Sequence, residues 1–397
     1  MSVSIIIKTL NEEQRIAAAI ESALAALPDG QVEVIVSDSG SSDRTVEIAS
    51  AYPVRVVQIE APARASCGLG PQLGFQYSTQ PFVCLIDGDM IIEPDFIPAA
   101  LQYMAEHPET GGVTGHVVDQ ILESLEFQRR ARRQTPEKQA GNIDRMNGGG
   151  VYRRAAIEQA GYFSDRNLHG HEEFDAGVRL RTHGWKLHRL DRPFVQHFGY
   201  SMNAYKLLTR RWKSKYLRGT GEVLRAAVGQ PHWQNVIKEL PELRLWGAVY
   251  VWWLVVIAAL LLGFVTPWAL VAALVFALLP FVLMSIRERS VSLGVYAVVA
   301  WIFHAAAMPL GFFQPRRKPQ DWIESRVLNE IPKRDPKRGL MRKAACRSSD
   351  LRCRSQRPGV LAGKDCCGRV DAGQGNTAGD DAGQPARLLV HSAQFRD

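Results

Sequence analysis

The chain has 397 residues, 46% of them apolar, and a formal net charge of +8; this excludes a generally disordered chain and leaves room for one catalytic-sized domain plus an appendage. The charge is unevenly placed: residues 1–203 hold 19 Lys and Arg against 26 Asp and Glu, residues 204–313 hold 11 against 4, and residues 314–397 hold 18 against 10. The basic excess therefore sits beside apolar segments, where it suits anionic lipid headgroups, and with no nucleic-acid motif to accompany it, nucleic acid is not an expected partner.

Val3–Ile7 reads as a strand. No apolar leader precedes it, so the N-terminal domain is expected to stay in the cytoplasm, with reduced thiols. Residues 11–26 carry apolar positions at helical spacing; Val32–Val36 is a second strand, residues 42–51 a helix, Val54–Ile59 a third strand and Phe82–Ile86 a fourth. Alternating strands and helices with apolar strands predict an α/β fold with a mostly parallel central sheet. Ligands of such sheets bind at the carboxyl ends of strands. Three polar clusters fall there: Thr9–Glu13, Asp38–Asp43 and Asp87–Asp89. Residues 119–145 are polar without a strong period and are expected to form a mobile excursion over the site.

From Trp246 to Ile286 the chain is nearly free of charge. As a helix this run would extend roughly 60 Å, about twice a bilayer core. Thr266–Pro267 divides it into two spans, 246–265 and 268–286. A third apolar segment, 291–313, has basic residues at both flanks, and the positive-inside rule then favours a re-entrant or interfacial helix slightly over a third crossing. The expected organisation is a catalytic domain at 1–203, a basic amphipathic neck at 204–243, a transmembrane region at 244–313 and a basic, largely disordered tail at 314–397. The expected location is a multi-pass cell-membrane protein with its catalytic domain in the cytoplasm.

Asp87-Gly88-Asp89 places two carboxylates at a strand end, where they can share a divalent cation; the glycine between them allows close approach of a phosphate. Such a cation would neutralise a leaving diphosphate. Asp38 ends its strand and can accept from a base N–H, whereas Asp43 suits a helix cap. Glu12 and Glu13 suit either the first turn of a helix or a nucleotide contact. In residues 204–218, Leu208, Trp212 and Tyr216 recur at helical spacing among Lys and Arg, a pattern suited to the membrane interface.

In order and spacing, SIIIKTLNEE at 4–13, VSDSGSSDRT at 36–45, LIDGDM at 85–90, NGGGVYRRAAIEQAGYFSD at 147–165 and HEEFDAGVRLRTHGWKLHRL at 171–190 resemble glycosyltransferase family 2, an inverting family with the GT-A fold. The resemblance covers about residues 3–200 and implies a nucleotide-sugar donor and Mn2+ or Mg2+ as cofactor. By resemblance, Thr9, Asn11, Glu12, Asp38, Asp87, Gly148 and Gly149 would line the donor, Asp89 would be the main metal ligand with Asp87 beside it, and His197 would reach the metal or diphosphate. Glu173 would be the catalytic base, with Glu172 the alternate, at a position where the family usually has Asp; Asp175 would cap the helix or pair with Arg179 or Arg181. Two departures stand out. Pro71–Gly74 replaces the Arg-Asn-x-Gly of many relatives. The Gln-x-x-Arg-Trp of processive synthases here has Leu208 in place of Gln, leaving Arg211 and Trp212 as acceptor-binding candidates. The implied activity is inverting sugar transfer to a lipid-linked or envelope-glycan acceptor among membrane lipids. The alternatives are a processive polysaccharide synthase and a non-catalytic membrane scaffold.

Overall fold

The computed structural model describes residues 1–331 apart from 29, 61–64, 121–138, 200–202 and 241. Most of the 119–145 excursion and the tail beyond 331 thus lie outside the described residues. The chain opens with β1 (Ser2–Thr9), α1 (Ile16–Ala25), β2 (Gln31–Asp38), α2 (Thr45–Ser50), β3 (Arg55–Ile59), α3 (Leu69–Tyr77) and β4 (Phe82–Asp87). Val3, Ile5, Ile6 and Ile7 of β1 are fully buried, as expected of a parallel strand covered on both faces. Helix α1 covers one face with Ile16, Ala19, Ile20 and Ala23, one stripe at the helical period.

The next elements are β5 (Met90–Ile92), α4 (Phe96–Glu106), β6 (Thr110–Asp119), β7 (Gly141–Ile143), β8 (Gly150–Arg153), α5 (Arg154–Gln159), α6 (Glu172–Thr182) and β9 (Lys186–His197). The sheet is mixed. β3, β2, β1 and β4 are parallel neighbours, but β8 joins β4 and β6 antiparallel, and β6 pairs β9 parallel. The expected parallel order therefore holds for the first half of the domain only. Register matters more than direction for the site: Thr9 pairs with Asp38 and Lys8 with Asp87, so three strands end on one line.

Beyond β9 come α7 (Ala204–Lys213), a short 3-10 turn (Tyr216–Arg218), α8 (Gly219–Ala227), α9 (Trp233–Glu239), and the apolar helices α10 (Glu242–Leu262), α11 (Trp268–Arg287) and α12 (Val291–Phe312). These three, of 21, 20 and 22 residues, are each long and apolar enough to cross a membrane. The third segment is one continuous helix. It is also the most buried of the three, because it docks on the neck. A Cβ added at Gly221 would lie 1.9 Å from the Met308 carbonyl oxygen, and one at Gly311 2.2 Å from that of Arg218. Glycine on each partner is what lets these backbones touch.

One boundary is corrected. The 314–397 tail does not begin at 314: β10 (Ser325–Asn329) returns to pair antiparallel with β3. Ile323 is fully buried with Ile35, Val57, Leu69 and Leu73, and its backbone exchanges hydrogen bonds with the Gln76 side chain at 2.9 and 3.0 Å. A single buried isoleucine in a basic, polar stretch leaves no periodic pattern to read. Ile323→Ala is expected to destabilise the domain by about 2–4 kcal/mol, measured by urea unfolding in detergent; no loss would mean that the 314–331 segment is dispensable.

Candidate active site

The first two polar clusters are laced together at the strand ends. Asn11 adopts a left-handed backbone, its Oδ1 accepting from Ser42 N at 2.8 Å while its own N–H donates to Ser41 Oγ at 2.8 Å. Glu12 N donates to Thr45 Oγ1 at 2.7 Å, and Asp43 accepts from Thr45 N at 3.0 Å one residue before the N-cap position, which Arg44 occupies. Asp38 is fully buried. It accepts from Thr9 Oγ1 at 3.0 Å, Gly40 N at 3.0 Å, Ser41 N at 2.9 Å, Gln58 Nε2 at 2.8 Å and the Ser41 hydroxyl. With its lone pairs so occupied, Asp38 sets the shape of the β2–α2 turn.

The third cluster lies beside them. A Cβ at Gly88 would come within 3.0 Å of Glu12 Cγ and 3.1 Å of Thr9 Cγ2, so the glycine admits the Glu12 side chain against the Asp-Gly-Asp turn. Asp87 faces Lys8, Nζ to Oδ1 3.1 Å, and the same ammonium reaches Glu172 Oε1 at 3.3 Å. Burial alone would pull Lys8 down, but Asp87 and Glu172 outweigh it and hold the ammonium well above its ordinary pKa. Burial pushes the Asp87 carboxyl up, against the opposing pull of Lys8. Lys8 carries no motif signal and was not among the sequence candidates; only the strand register reveals it.

Asp89 turns the other way. Its Oδ2 lies 3.3 Å from His197 Nε2, and His197 Nδ1 lies 2.8 Å from Asp119 Oδ1. Hydrogen bonds to Asp119 and Asp89 push His197 up to about 10. Asp119, unforeseen from sequence, is placed by the β6–β9 register, which pairs it with His197. Among the described residues no group of three or more His, Cys, Asp or Glu converges as a ready metal cage. The donor set nevertheless fits a divalent cation: a carboxylate and an imidazole nitrogen face each other, and a second carboxylate holds the other ring nitrogen. Of the three expected ligands the structure brings together Asp89 and His197, while Asp87 is paired with Lys8.

Three acids, Glu172, Glu173 and Asp175, occupy the first turn of α6, where the helix dipole favours them. Asp175 is fully buried and pairs with Arg179 at 2.8 Å. Glu173 accepts from Gly149 N at 2.6 Å and Gly148 N at 3.1 Å. Burial first, then neighbouring Glu172, raise its carboxyl to about 7 despite Lys8 and the two amides. Both glycines have φ near +85°, and a Cβ at Gly149 would lie 2.1 Å from the Leu85 carbonyl oxygen. Arg211 and Trp212 lie on the neck: Arg211 stacks over Tyr216 at 5.0 Å, and Trp212 packs edge-on against Phe303 of α12 at 5.5 Å. In place of the Arg-Asn-x-Gly segment, Gln72 accepts from Phe163 N and Ser164 N at 3.0 and 3.1 Å, a structural tie.

Residues 4–161 match the family model of Glycosyl transferase family 2. A probable glucomannan 4-beta-mannosyltransferase 3 of Oryza sativa subsp. japonica is 27% identical over 143 residues, 33% of this chain and 25% of that protein. A probable glucomannan 4-beta-mannosyltransferase 11 of Arabidopsis thaliana is 25% identical over 145 residues, 34% of this chain and 32% of that protein. The chain thus spans between a quarter and a third of the length of these curated relatives. Among solved structures, S. aureus TarS 1-349 aligns with 85% of this chain and 98% of its own at 14% identity and TM-score 0.44. Glucosyl-3-phosphoglycerate synthase from Mycobacterium tuberculosis, in complex with Mn2+, UDP-glucose and phosphoglyceric acid, aligns with 54% of this chain and 78% of its own at 19% identity and TM-score 0.41.

Gly149→Ala should destabilise the domain by about 2–4 kcal/mol, since the added methyl meets a backbone carbonyl and the residue is held at positive φ. A change below about 0.5 kcal/mol in denaturant unfolding would show that the loop relaxes freely.

Proposed function

We propose that the chain is a family 2 glycosyltransferase that transfers a sugar, with inversion, from a UDP- or GDP-linked donor to a lipid-linked or envelope-glycan acceptor at the cytoplasmic membrane face. The observation that carries this reading is the Lys8 bridge. It ties the Asp-Gly-Asp strand end to the start of α6, which supports a single site shared by the strand-end carboxylates and Glu173.

Glu173 is the proposed base. Its two amide contacts fix the carboxylate, and a pKa of about 7 matches a group that must both take and release a proton near neutrality. As the acceptor oxygen bonds to the anomeric carbon, its proton passes to Glu173. The bond from that carbon to the diphosphate oxygen breaks, and the leaving group keeps the electron pair. Asp89 and His197 would hold Mn2+ or Mg2+, which supplies charge neutralisation to the leaving diphosphate. Binding there requires the His197 Nε2 proton to leave. Thr9, Asn11, Glu12 and Asp38 shape the nucleoside side of the cleft, and Asp87 lies toward ribose and phosphate. Three crossing-length helices support membrane anchorage, and the basic flanks support a cytoplasmic catalytic domain. Arg211 and Trp212 would sit at the interface near the acceptor.

A second reading, repeated addition to a growing polysaccharide, is favoured by the names of the two plant relatives. The leucine at position 208 weighs against it, and product length separates the two.

Three outcomes are expected. Glu173→Gln and Asp89→Ala should each lower kcat by about 10²–10⁴ while leaving the unfolding midpoint near wild type; full activity in either variant removes that residue from the mechanism. Because the base works deprotonated, kcat/KM should fall tenfold per pH unit below a break near pH 7, and Glu173→Asp should shift that break. EDTA should abolish nucleotide release from a nucleotide-sugar panel, and Mn2+ or Mg2+ should restore it.

A further inference from the structure

A cavity of about 610 Å³ opens between the neck and the end of α12. Its lining combines Arg166, Lys215, Arg218 and Arg317 with Leu310 and Phe313. Leu310 is 47% exposed and Phe313 81%, at the terminus of a helix long enough to cross a bilayer. The cavity thus brings cationic and apolar side chains together at the end of that helix, a combination that suits a headgroup and its chains.

Near this cavity Asp165 pairs with Arg316, and Glu222 accepts from His169 Nδ1 and N, both at 2.8 Å, while Asp321 and Glu324 act on Arg166 only at longer range. Arg166 donates to the carbonyls of Asp321 and Trp322 at 3.1 and 3.2 Å, and Arg218 donates to Gln314 Oε1 at 2.9 Å. Neither guanidinium meets a carboxylate within ion-pair distance among the described residues. Burial, then the charge of Arg317 beside it, pulls Arg166 down. Like charges gathered in a partly buried pocket repel unless an anion joins them, and guanidiniums suit a phosphate best.

The cavity also adjoins the reaction side of the domain. Arg166 and His169 on its wall belong to the stretch that runs directly into Glu172 and Glu173. Leu168 O accepts from Gly68 N at 2.9 Å, and a Cβ at Gly70, two residues further, would lie 3.0 Å from Lys8 Cβ.

We propose that this cavity binds the phosphate headgroup of an anionic membrane lipid, with the lipid chain lying against Leu310 and Phe313. The inference rests on the membrane reading of α10–α12 and not on sugar transfer. Alkaline carbonate extraction tests the membrane reading by itself: release of the chain from membranes would remove it before any lipid is added.

The lipid site is tested on the full chain in neutral detergent, by native mass spectrometry with dioctanoyl phosphatidic acid, dioctanoyl phosphatidylcholine and inorganic phosphate. Phosphatidic acid should bind one per chain, at least about tenfold tighter than phosphatidylcholine, and equimolar inorganic phosphate should not displace it. The double variant Arg218→Gln/Arg317→Gln should weaken phosphatidic acid about tenfold or more, while the charge-matched control Lys206→Gln/Lys213→Gln on α7 should stay within about twofold. Phe313→Glu, at an exposed position that tolerates change, should weaken binding to the same degree and covers the case in which the double variant fails to fold. Equal binding of the two lipids, equal loss in the control, or displacement by inorganic phosphate would each overturn the proposal.

Discussion

One ammonium organises this molecule. Lys8 sits between Asp87, on the neighbouring strand, and Glu172, at the start of a helix more than 160 residues away in the chain. Without a cation at that point, the carboxylates of Asp87 and Glu172 would lie close together with Glu173 beside them, a costly arrangement at low dielectric. The parallel pairing of β1 with β4 fixes where Lys8 stands, and the pairing with β2 fixes Thr9 against Asp38. Strand register, a consequence of which apolar side chains are buried, thereby sets the electrostatics of the site.

The apolar helices are extensions of this domain. α10 and α11 leave most of their apolar surface exposed, with Leu254 65% and Leu274 60% accessible, as a bilayer would require. α12 differs because Gly221 and Gly311 let the neck backbone press against it, and Leu208 and Leu217 pack on Ala307. Backbone contacts this close do not tolerate rotation of one element on the other. The neck is thereby held closely against α12.

How much of this was legible in the sequence depended on the range of the interaction. Asp38, Asp87 and Asp89 were visible because each directly follows an apolar strand, and strand ends in a parallel sheet coincide. The Gly148–Gly149 pair and Glu173 were visible by resemblance, but their contact was not: the amides of the glycines hold the carboxylate, a relation between segments about 25 residues apart. Lys8 directly follows three isoleucines, where it reads as the end of a strand. Asp119 ends a strand whose partner, β9, lies almost 80 residues on, and Ile323 reaches the sheet from beyond the apolar helices. The antiparallel joins of β8 to β4 and β6 were not foreseen for the same reason, since each pairs backbones of segments far apart in the chain. In each case the missing information was a long-range pairing.

Glu172 and Glu173 show why such pairings decide chemistry. They are the same residue type, adjacent, in the first turn of one helix, and no local pattern distinguishes them. The fold sends one toward an ammonium and the other toward two backbone amides in a buried pocket. A carboxylate neutralised by a lysine is tied up in an ion pair, and taking a proton would break that pair. One held by neutral N–H groups at a pKa of about 7 can accept a proton and keep its place, because its anchors carry no charge of their own. The environment separates the two: Glu172 fastens the helix to Lys8 of β1, whereas Glu173, the proposed base, is held by neutral amides.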